Sequence, residues 1–290
     1  MRCFSSVGLV LAVFTLTACG SSNLAGAPNP AATSVTHSAP DDSNAQTGEP
    51  SDESSDDRPL ALIYKGPGSC SLDQGDAGES GYGCSEAASD AATLAGFRFQ
   101  FVGPRDLAEN ATADQVQALF GNAKVWIQPG GVSNTAYYAM TAKLRKSIVQ
   151  FVKDGGGYVG FCAGAFLAAD WFYIFPGSAH AYGYSPIRSD LTYAFLNVDW
   201  NGQKRSIYFE GGPYLSNLGS TAEVTARFST GYVAAARAPY GKGRVYISGP
   251  HPEAPQIWSQ EDGMSDPDGS DLDLAASMIT WAGSLPELQP

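Results

Sequence analysis

The chain has 290 residues, a formal net charge of −12 at pH 7 and a hydrophobic fraction of 43%. This length is enough for one large domain with a buried core. The acidic balance argues against nucleic acid and anionic lipid surfaces as partners of the folded part, because such binding depends on clustered Lys and Arg.

The amino-terminal residues 1–19 predict a lipoprotein signal peptide. Arg2 gives a positive start, and the apolar run 8–14 is too short to span a bilayer. Residues 16–19, Leu-Thr-Ala-Cys, resemble a bacterial lipobox, which predicts acylation of Cys19 and attachment to the lipid bilayer of the cell envelope. Because no aspartate follows the cysteine, we expect the outer membrane, facing the periplasm, in a Gram-negative cell. An ordinary cleaved signal peptide with an incidental cysteine is the alternative.

Residues 20–59 predict a disordered, acidic tether. This stretch is rich in Ser, Ala, Pro, Asn and Asp and has almost no large apolar side chains. It therefore cannot bury enough surface to offset the entropy that ordering would cost. Residues 60–290 form the predicted folded domain, and no other apolar stretch is long enough to cross a membrane.

The five cysteines divide by position along the chain. Cys3 lies in the signal peptide, Cys19 is the predicted lipidation site and Cys162 stands alone. Cys70 and Cys84 bracket a polar, Gly-rich loop that follows the first predicted strand and could wall or cover a pocket. In an oxidising compartment, two cysteines so placed predict a disulfide, with a pair of free thiols as the alternative.

The first half of the domain alternates strands with helices. Apolar or alternating runs predict strands at 60–64, 97–101 and 124–128, and Ala-rich or amphipathic stretches predict helices at 85–94, 112–120 and 136–153. The apolar run before Cys162 predicts a further strand. Such alternation implies a parallel sheet with right-handed crossovers.

The second half changes character. Short strands are predicted at 191–200, 206–209, 223–228, 232–238 and 244–248, and the pair Asn201-Gly202 predicts a hairpin between two of them. A last helix is predicted at 271–285, with Ser270 and Asp273 placed for a capping box.

The segment 155–165 carries the strongest chemical signal. It is an apolar run that enters a bend of small residues, Gly-Phe-Cys-Ala-Gly at 160–164, and leaves into a helix-forming stretch. This arrangement of strand, elbow and helix lifts a nucleophile clear of a parallel sheet, and the glycines permit the strained backbone. Cys162 is therefore the candidate nucleophile. A buried structural cysteine is the alternative.

A second segment, Gly-Pro-His-Pro-Glu at 249–253, supplies the base that a thiol requires. His251 would accept the proton, and Glu253 would fix the tautomer of the ring. The prolines on both sides of His251 favour a rigid, positioned backbone. The alternative is a solvated loop histidine.

Five segments, in order along the domain, resemble the class I glutamine amidotransferase-like superfamily, and within it most closely the N-terminal domain family of biotin-protein ligases. They lie at 63–68, 128–131, 155–164, 208–212 and 241–253. The resemblance implies a three-layer α/β/α sandwich, flavodoxin-like, with a mostly parallel sheet, to which the second-half strands add extra β-hairpins. It also implies Cys162, His251 and Glu253 as a catalytic triad. It does not imply a biotin ligase, since the sequence ends without a ligase domain.

An attacked carbonyl group develops negative charge on its oxygen, so the site needs hydrogen-bond donors there. The backbone N–H groups of Ala163 and of Gly130 or Gly131 are the candidates, although the glycine pair is also consistent with a simple turn. Further candidate pocket residues lie at strand ends. They are Gly66, Gly68 and Glu210, the last of which is equally consistent with a surface acid.

One departure from the superfamily is informative. Glutamine-hydrolysing relatives carry a polar pair three and four positions after the cysteine, where this sequence has Ala165 and Phe166. A contact for glutamine is therefore missing, which argues against glutaminase activity. Neither His180 nor the acidic loop 266–271 supplies ligands at a metal-loop spacing, so we expect no metal site and no cofactor.

These features support an envelope lipoprotein with a cysteine-dependent amide or ester hydrolase or acyl-transfer site. Its expected partners are the bilayer, through acylated Cys19, and a small-molecule or peptide-like substrate. An alternative is a ligand-binding or scaffolding module that keeps the fold without turnover. A thiol-redox role for Cys162 is a third hypothesis, weakened by the absence of a resolving cysteine nearby in the sequence.

Overall fold

A computed structural model describes residues 56–70, 82–180 and 193–284, all of which belong to one compact unit, Ser54–Pro290. The predicted signal peptide, the lipobox Cys19 and nearly all of the predicted tether lie outside the described residues. None of the helices in the described ranges is both long and apolar enough to cross a membrane.

The described residues form eleven strands and seven α-helices in mixed order. The strands are β1 (Leu60–Tyr64), β2 (Arg98–Val102), β3 (Ala123–Gln128), β4 (Gly157–Phe161), β5 (Ser178–His180), β6 (Tyr193–Trp200), β7 (Gln203–Glu210), β8 (Tyr214–Ser216), β9 (Glu223–Phe228), β10 (Val233–Tyr240) and β11 (Gly243–Ser248). The helices are α1 (Cys84–Leu94), α2 (Ala113–Phe120), α3 (Ser133–Ala139), α4 (Ala142–Lys153), α5 (Ala163–Phe166), α6 (Gln256–Glu261) and α7 (Leu272–Gly283). A π-helical turn, Leu167–Trp171, continues α5.

All eleven strands belong to one sheet, whose main path has the order β2-β1-β3-β4-β11-β10-β9-β6-β7, with β8 pairing β10 and β5. The first five strands of this path are parallel, and the strands from β10 onward pair antiparallel. The predicted α/β class is confirmed, as are the extra strands of the second half. The sheet is mixed, because those strands, which include the hairpins β6-β7 and β10-β11, extend the parallel part of the sheet.

Alternate residues of β1 enter two different hydrophobic clusters. Leu62 and Tyr64 pack with Leu144 of α4 on one face, and Ala61 and Ile63 pack with the side chains of α1 and α7 on the other. Because a strand points successive side chains to opposite faces, a strand that is buried throughout must be covered on both. The three predicted layers follow from this burial.

The predicted helix 136–153 is wrong in one respect, since two helices occupy this region. The backbone of Met140 is extended between α3 and α4, and the Thr141 side chain accepts a hydrogen bond from Leu144 N at 3.0 Å, capping α4. Arg145 Nη1 donates to the carbonyls of Tyr137 and Met140, which satisfies the end of α3.

Two shorter predictions have different outcomes. The hairpin at Asn201-Gly202 is confirmed: both residues have positive φ, and they join β6 to β7. The capping box of the last helix is wrong, because the N-cap is Asp271 and its side chain makes no capping bond. Asp273 pairs with Arg205 instead.

Candidate active site

Cys162 lies at a sharp turn between β4 and α5. Its backbone has φ 47° and ψ −103°, a left-handed conformation that is rare for a residue with a side chain. A β-carbon at Gly160 would lie 2.5 Å from the Gly164 carbonyl, and one at Gly164 would collide with the Gln128 carbonyl. The close approach of these backbones explains the Gly-x-Cys-x-Gly pattern, and it gives Cys162 the geometry of a nucleophile elbow.

His251 reaches the same point because β11 pairs in parallel with β4, with Ser248 opposite Phe161. Cys162 N donates to Ser248 O at 2.8 Å, which ties the turn to the end of β11. The carboxyl ends of adjacent parallel strands thus bring the thiol and the imidazole together, as α/β sheets commonly do with their sites.

His251 and Glu253 form a buried pair, 3% and 1% exposed. His251 Nδ1 lies 2.9 Å from Glu253 Oε1, and because a carboxylate only accepts, Nδ1 carries the proton. The backbone N–H of His251 donates to Tyr208 O at 2.8 Å, which fixes the ring's attachment to the sheet. Nε2, the other ring nitrogen, is buried without a hydrogen-bond partner among the described residues.

The electrostatics of His251 favour its charged form. Burial opposes the imidazolium, but the negative charges of Glu253 and of the Cys162 thiolate outweigh burial and raise the pKa of His251 well above its usual value. In the described state the Cys162 thiol donates to the Glu210 backbone carbonyl at 3.5 Å. Cys162 and His251 line the same cavity and interact electrostatically, as a Cys-His pair requires.

The two candidate oxyanion glycines differ in position. Gly131, with φ 122°, lines the cavity beside Cys162, whereas Gly130 lies against the imidazole of His251. Ala163 is the first residue of α5, so its N–H has no acceptor within the helix. Of the two glycines, Gly131 is the one that lines the cavity, and it and Ala163 remain the candidate donors.

The site opens into a cavity of about 470 Å³. One wall contains Cys70 and Cys84, which are joined by a disulfide with 5.4 Å between their α-carbons. Glu210, at the end of β7, also lines the cavity. Among the described residues, no group of three or more His, Cys, Asp or Glu side chains is placed to hold a metal ion.

Gly66 and Gly68 do not line this cavity. The Gly68 carbonyl accepts a hydrogen bond from Val132 N at 3.0 Å, and a β-carbon at Gly68 would lie 2.5 Å from the Val132 carbonyl. A β-carbon at Gly66 would likewise lie 2.8 Å from Cδ of Pro104. These glycines let the loop after β1 support the loop that carries Gly131.

Aromatic residues around His251 were not identified as site residues from sequence. The rings of Tyr208 and Trp258 lie 6.0 and 5.7 Å from the imidazole, centroid to centroid. Tyr208 Oη donates to Asp262 Oδ2 at 2.6 Å, and Trp258 Nε1 donates to Tyr82 O at 2.7 Å. Tyr208 belongs to segment 208–212, one of the five segments that carry the family resemblance. Trp258 lies in α6, whose sequence has no pattern that indicates a functional site.

Fold and elbow together define the class of protein: the chain has a glutamine amidotransferase-like α/β fold. The structure of PurLQS from Thermotoga maritima matches with a TM-score of 0.51 and 18% identity, covering 76% of this chain and 98% of its own. A structure described as a glutamine amidotransferase matches with a TM-score of 0.52 and 17% identity, covering 78% of this chain and all of its own. At such identity the likeness shows the fold and no activity.

Within this class, residues 117–175 match the family model described as "Biotin-protein ligase, N terminal". The matched segment contains β3, the Gly130-Gly131 loop and the elbow with Cys162, and the resemblance noted in the sequence is confirmed over it. His251 and Glu253 lie beyond the matched segment. No curated protein matches the chain in sequence.

Proposed function

We propose that this protein is a cysteine-dependent hydrolase or acyl transferase that acts on an amide or ester. One observation carries the proposal. Cys162, held in an elbow with strained backbone, shares a cavity with a buried His251 that is oriented by Glu253. Burying the His251–Glu253 pair while His251 Nε2 lacks a hydrogen-bond partner among the described residues costs the fold stability. Buried titratable pairs of this kind cluster at functional sites.

The reaction would proceed in two steps. The Cys162 thiolate attacks the carbonyl carbon and forms a C–S bond. The C–N or C–O bond of the substrate then breaks, and the leaving amine or alcohol takes a proton from the His251 imidazolium. The product of this step is a thioester on Cys162. Water, or an acceptor alcohol or amine, next attacks the thioester while His251 takes its proton, and the C–S bond breaks to restore the thiolate.

The remaining residues have supporting roles in this scheme. Glu253 keeps the proton on Nδ1, so that Nε2 faces the reacting groups, and it stabilises the imidazolium. The N–H groups of Ala163 and Gly131 would hold the oxyanion. Ala165 and Phe166 pack in or against the hydrophobic core rather than in the cavity, so the site lacks the polar pair that would bind glutamine.

Alkylation of Cys162 tests the proposal without a known substrate. We would follow iodoacetamide labelling of Cys162 in the full-length protein by mass spectrometry between pH 5 and 10, beside His251→Asn and His251→Ala. An activated thiol should react near neutral pH, and its rate there should fall about tenfold or more in both variants. Thermal unfolding of each variant checks that it is folded. A thiol that is unreactive in wild type and variants alike would leave the binding or scaffolding module as the function, and a thiol that stays activated in both variants would favour the thiol-redox role.

A hydrolysis assay extends the same test. Because the substrate is unidentified, we would use p-nitrophenyl acetate, a small neutral ester, and compare wild type with Cys162→Ala and Cys162→Ser. Cysteine-dependent turnover should disappear in both variants, since neither offers a thiolate. Residual turnover of the same size in all three proteins would exclude Cys162 as the nucleophile.

For the amino-terminal segment we propose that Cys19 is acylated and anchors the domain to the outer membrane on its periplasmic side. The sequence at 16–19 supports this, since two or more acyl chains hold a protein stably on a bilayer. Metabolic labelling with an alkynyl fatty acid should mark the wild type and not Cys19→Ala, and density-gradient fractions should contain the labelled form with outer membrane. Fatty-acid label on the Cys19→Ala variant would show that the acyl chain is attached to a different residue.

A further inference from the structure

All three cysteines of the folded domain line the same cavity. Within residues 60–290 the sequence has Cys70, Cys84 and Cys162, and each of them lines the site cavity of about 470 Å³. Cys70 and Cys84 form the disulfide, whereas Cys162 is a free, buried thiol. The chain around Cys162 has no second cysteine, but the fold places a disulfide in its cavity. A nucleophilic thiol and a disulfide that share a cavity are the reactants of thiol–disulfide exchange.

The disulfide packs against the loop that follows β3. A β-carbon at Gly131 would lie 3.0 Å from Cys70 N. One at Gly130 would lie 3.2 Å from Cys84 Sγ and 2.5 Å from His251 Cε1. The Cys84 sulfur and the His251 imidazole are therefore close neighbours, on two sides of the space in front of one glycine. The ring that pairs with Cys162 thus lies beside the disulfide as well.

Of the two bonded sulfurs, Cys84 Sγ makes the better leaving group. Cys84 is the first residue of α1, an 11-residue helix, and the amino end of a helix stabilises an anion through its free N–H groups and its dipole. The His251 imidazolium lies beside the same sulfur and adds a positive charge. Because the sulfur that forms the more stable thiolate leaves faster, the disulfide should break with its electron pair on Cys84.

We propose that Cys162 exchanges with the Cys70–Cys84 disulfide. The Cys162 thiolate attacks Cys70 Sγ and forms a new S–S bond, the bond between Cys70 and Cys84 breaks, and the electron pair leaves on Cys84 Sγ. One thiolate and one disulfide stand on each side of this step, so it needs no external oxidant or reductant. No proton moves, because the His251 imidazolium accompanies the thiolate before and after the exchange.

Exchange goes beyond the hydrolase or acyl-transfer function and acts on it. When Cys162 is bonded to Cys70 it has no thiolate, and it cannot form the thioester that turnover requires. The reverse step, in which the Cys84 thiolate attacks Cys70 Sγ, restores the nucleophile. The site therefore alternates between a reactive form and a latent form, and the latent form protects Cys162 from irreversible oxidation.

Trapping of the leaving thiol tests exchange with the native disulfide in place. We would treat the full-length protein at pH 7 with a low concentration of N-ethylmaleimide, digest it without reductant and assign the label by mass spectrometry. In the wild type, Cys84 should carry label, and a peptide pair joined through Cys70 and Cys162 should appear. Label on Cys84 should be about tenfold or more higher than in Cys162→Ala, because that variant keeps the disulfide and lacks the attacking thiol.

A second pair of variants tests whether Cys162 reaches Cys70. In Cys84→Ser, mild oxidation with diamide should join the two remaining thiols and lower iodoacetamide labelling of Cys162 about tenfold or more, and dithiothreitol should restore it. The matched control is Cys70→Ser/Cys84→Ser, in which Cys162 is the last cysteine of the domain and should label equally with and without diamide. Thermal unfolding checks that both variants are folded, and the comparison with Cys162→Ala does not depend on them.

Two results would overturn the proposal. One is label on Cys84 that is equal in wild type and Cys162→Ala. The other is a Cys162 that, after diamide, labels as fast in Cys84→Ser as in the double variant. A wild-type peptide pair joined through Cys84 and Cys162 would overturn the assignment of Cys84 as the leaving group.

The ester assay separates this proposal from the proposed function. If exchange is seen and p-nitrophenyl acetate is not hydrolysed, exchange is supported while the hydrolase function fails. If hydrolysis depends on Cys162 and Cys84 is never labelled, the hydrolase function is supported and exchange is overturned. If both are seen, diamide should lower turnover by Cys84→Ser about tenfold or more, and dithiothreitol should restore it.

Discussion

Gly130 lies directly against the imidazole of His251. A β-carbon at Gly130 would lie 2.5 Å from His251 Cε1 and 3.2 Å from Cys84 Sγ. The loop after β3, the Cys70–Cys84 disulfide and the candidate base His251 therefore lie against one another at Gly130. His251 can hold its position against Glu253 only because residue 130 has no side chain.

Gly130→Ala should therefore displace the base without unfolding the domain. The added methyl group meets the ring and pushes it out of line with Cys162, so we expect iodoacetamide labelling at pH 7 to fall about tenfold. Gly219→Ala is the matched control, because its β-carbon would meet only Pro176, at 3.1 Å or more, and its φ is not positive. If Gly130→Ala labels as fast as the wild type, the position of His251 does not matter to the thiol.

Glu253→Gln tests how the charged pair depends on pH. Burial opposes the imidazolium, and Glu253 and Cys162 together raise the pKa of His251 well above its ordinary 6.5. A raised histidine pKa stabilises the fold fully below about 6.5, and this contribution is lost as pH rises through the raised value. The neutral amide removes one of the two raising charges. The free energy of unfolding should therefore fall in the variant most strongly near pH 6, and less at alkaline pH.

Denaturant unfolding at pH 6 and pH 10 measures this difference. The His251 ring can also be titrated by NMR, because the chain has only three histidines and His251→Gln identifies the signal. Glu223→Gln, which breaks the exposed pair with Arg237, is the control for loss of an ion-paired carboxylate. An imidazole signal that titrates at the same pH in wild type and Glu253→Gln would contradict the assigned role of Glu253.

Much of this site follows from local sequence rules, and the rest depends on long-range packing. The elbow can be predicted from sequence because positions 160 and 164 have no room for a β-carbon and must therefore be glycine. The break at Thr141 was missed because apolar periodicity continues across it, and only the cap on Leu144 shows where α4 begins. Trp258 was missed because the Tyr82 carbonyl that holds its indole is 176 residues away in sequence, so only tertiary contacts place the ring beside His251.

The disulfide should stabilise the domain measurably. Cys70 and Cys84 are 14 residues apart, and closing a loop of this size contributes about 3 kcal/mol in the chain-entropy model. The double variant Cys70→Ser/Cys84→Ser should lose about this much free energy of unfolding, measured by denaturant titration. Wild type in excess reductant should then match the variant, while the variant should not respond to reductant. Equal stability of wild type and variant under oxidising conditions would show that the bond contributes nothing.

Asp271→Asn should change the pH dependence of stability through a second buried titratable group. Burial, only partly offset by Arg205 at 3.4 Å and reinforced by the acids at 266, 268 and 273, raises the pKa of Asp271 from its ordinary 3.8 to about 7. For an acid, a raised pKa means that the folded state holds a proton which the unfolded state releases. Stability is therefore lost as pH rises from about 4 to about 7, and above that range the fold contains a buried charge.

The asparagine variant avoids that charge. The melting temperature of the variant minus that of the wild type should increase from pH 5 to pH 8, because only the wild type must ionise a buried carboxyl group as pH increases. Thermal unfolding at several pH values across this range measures the difference. Asp114→Asn, on the exposed surface of α2, shows the effect of losing one surface carboxylate and should give a difference that does not vary with pH. A constant difference for Asp271→Asn as well would mean that Asp271 ionises in the fold as it does in the unfolded chain.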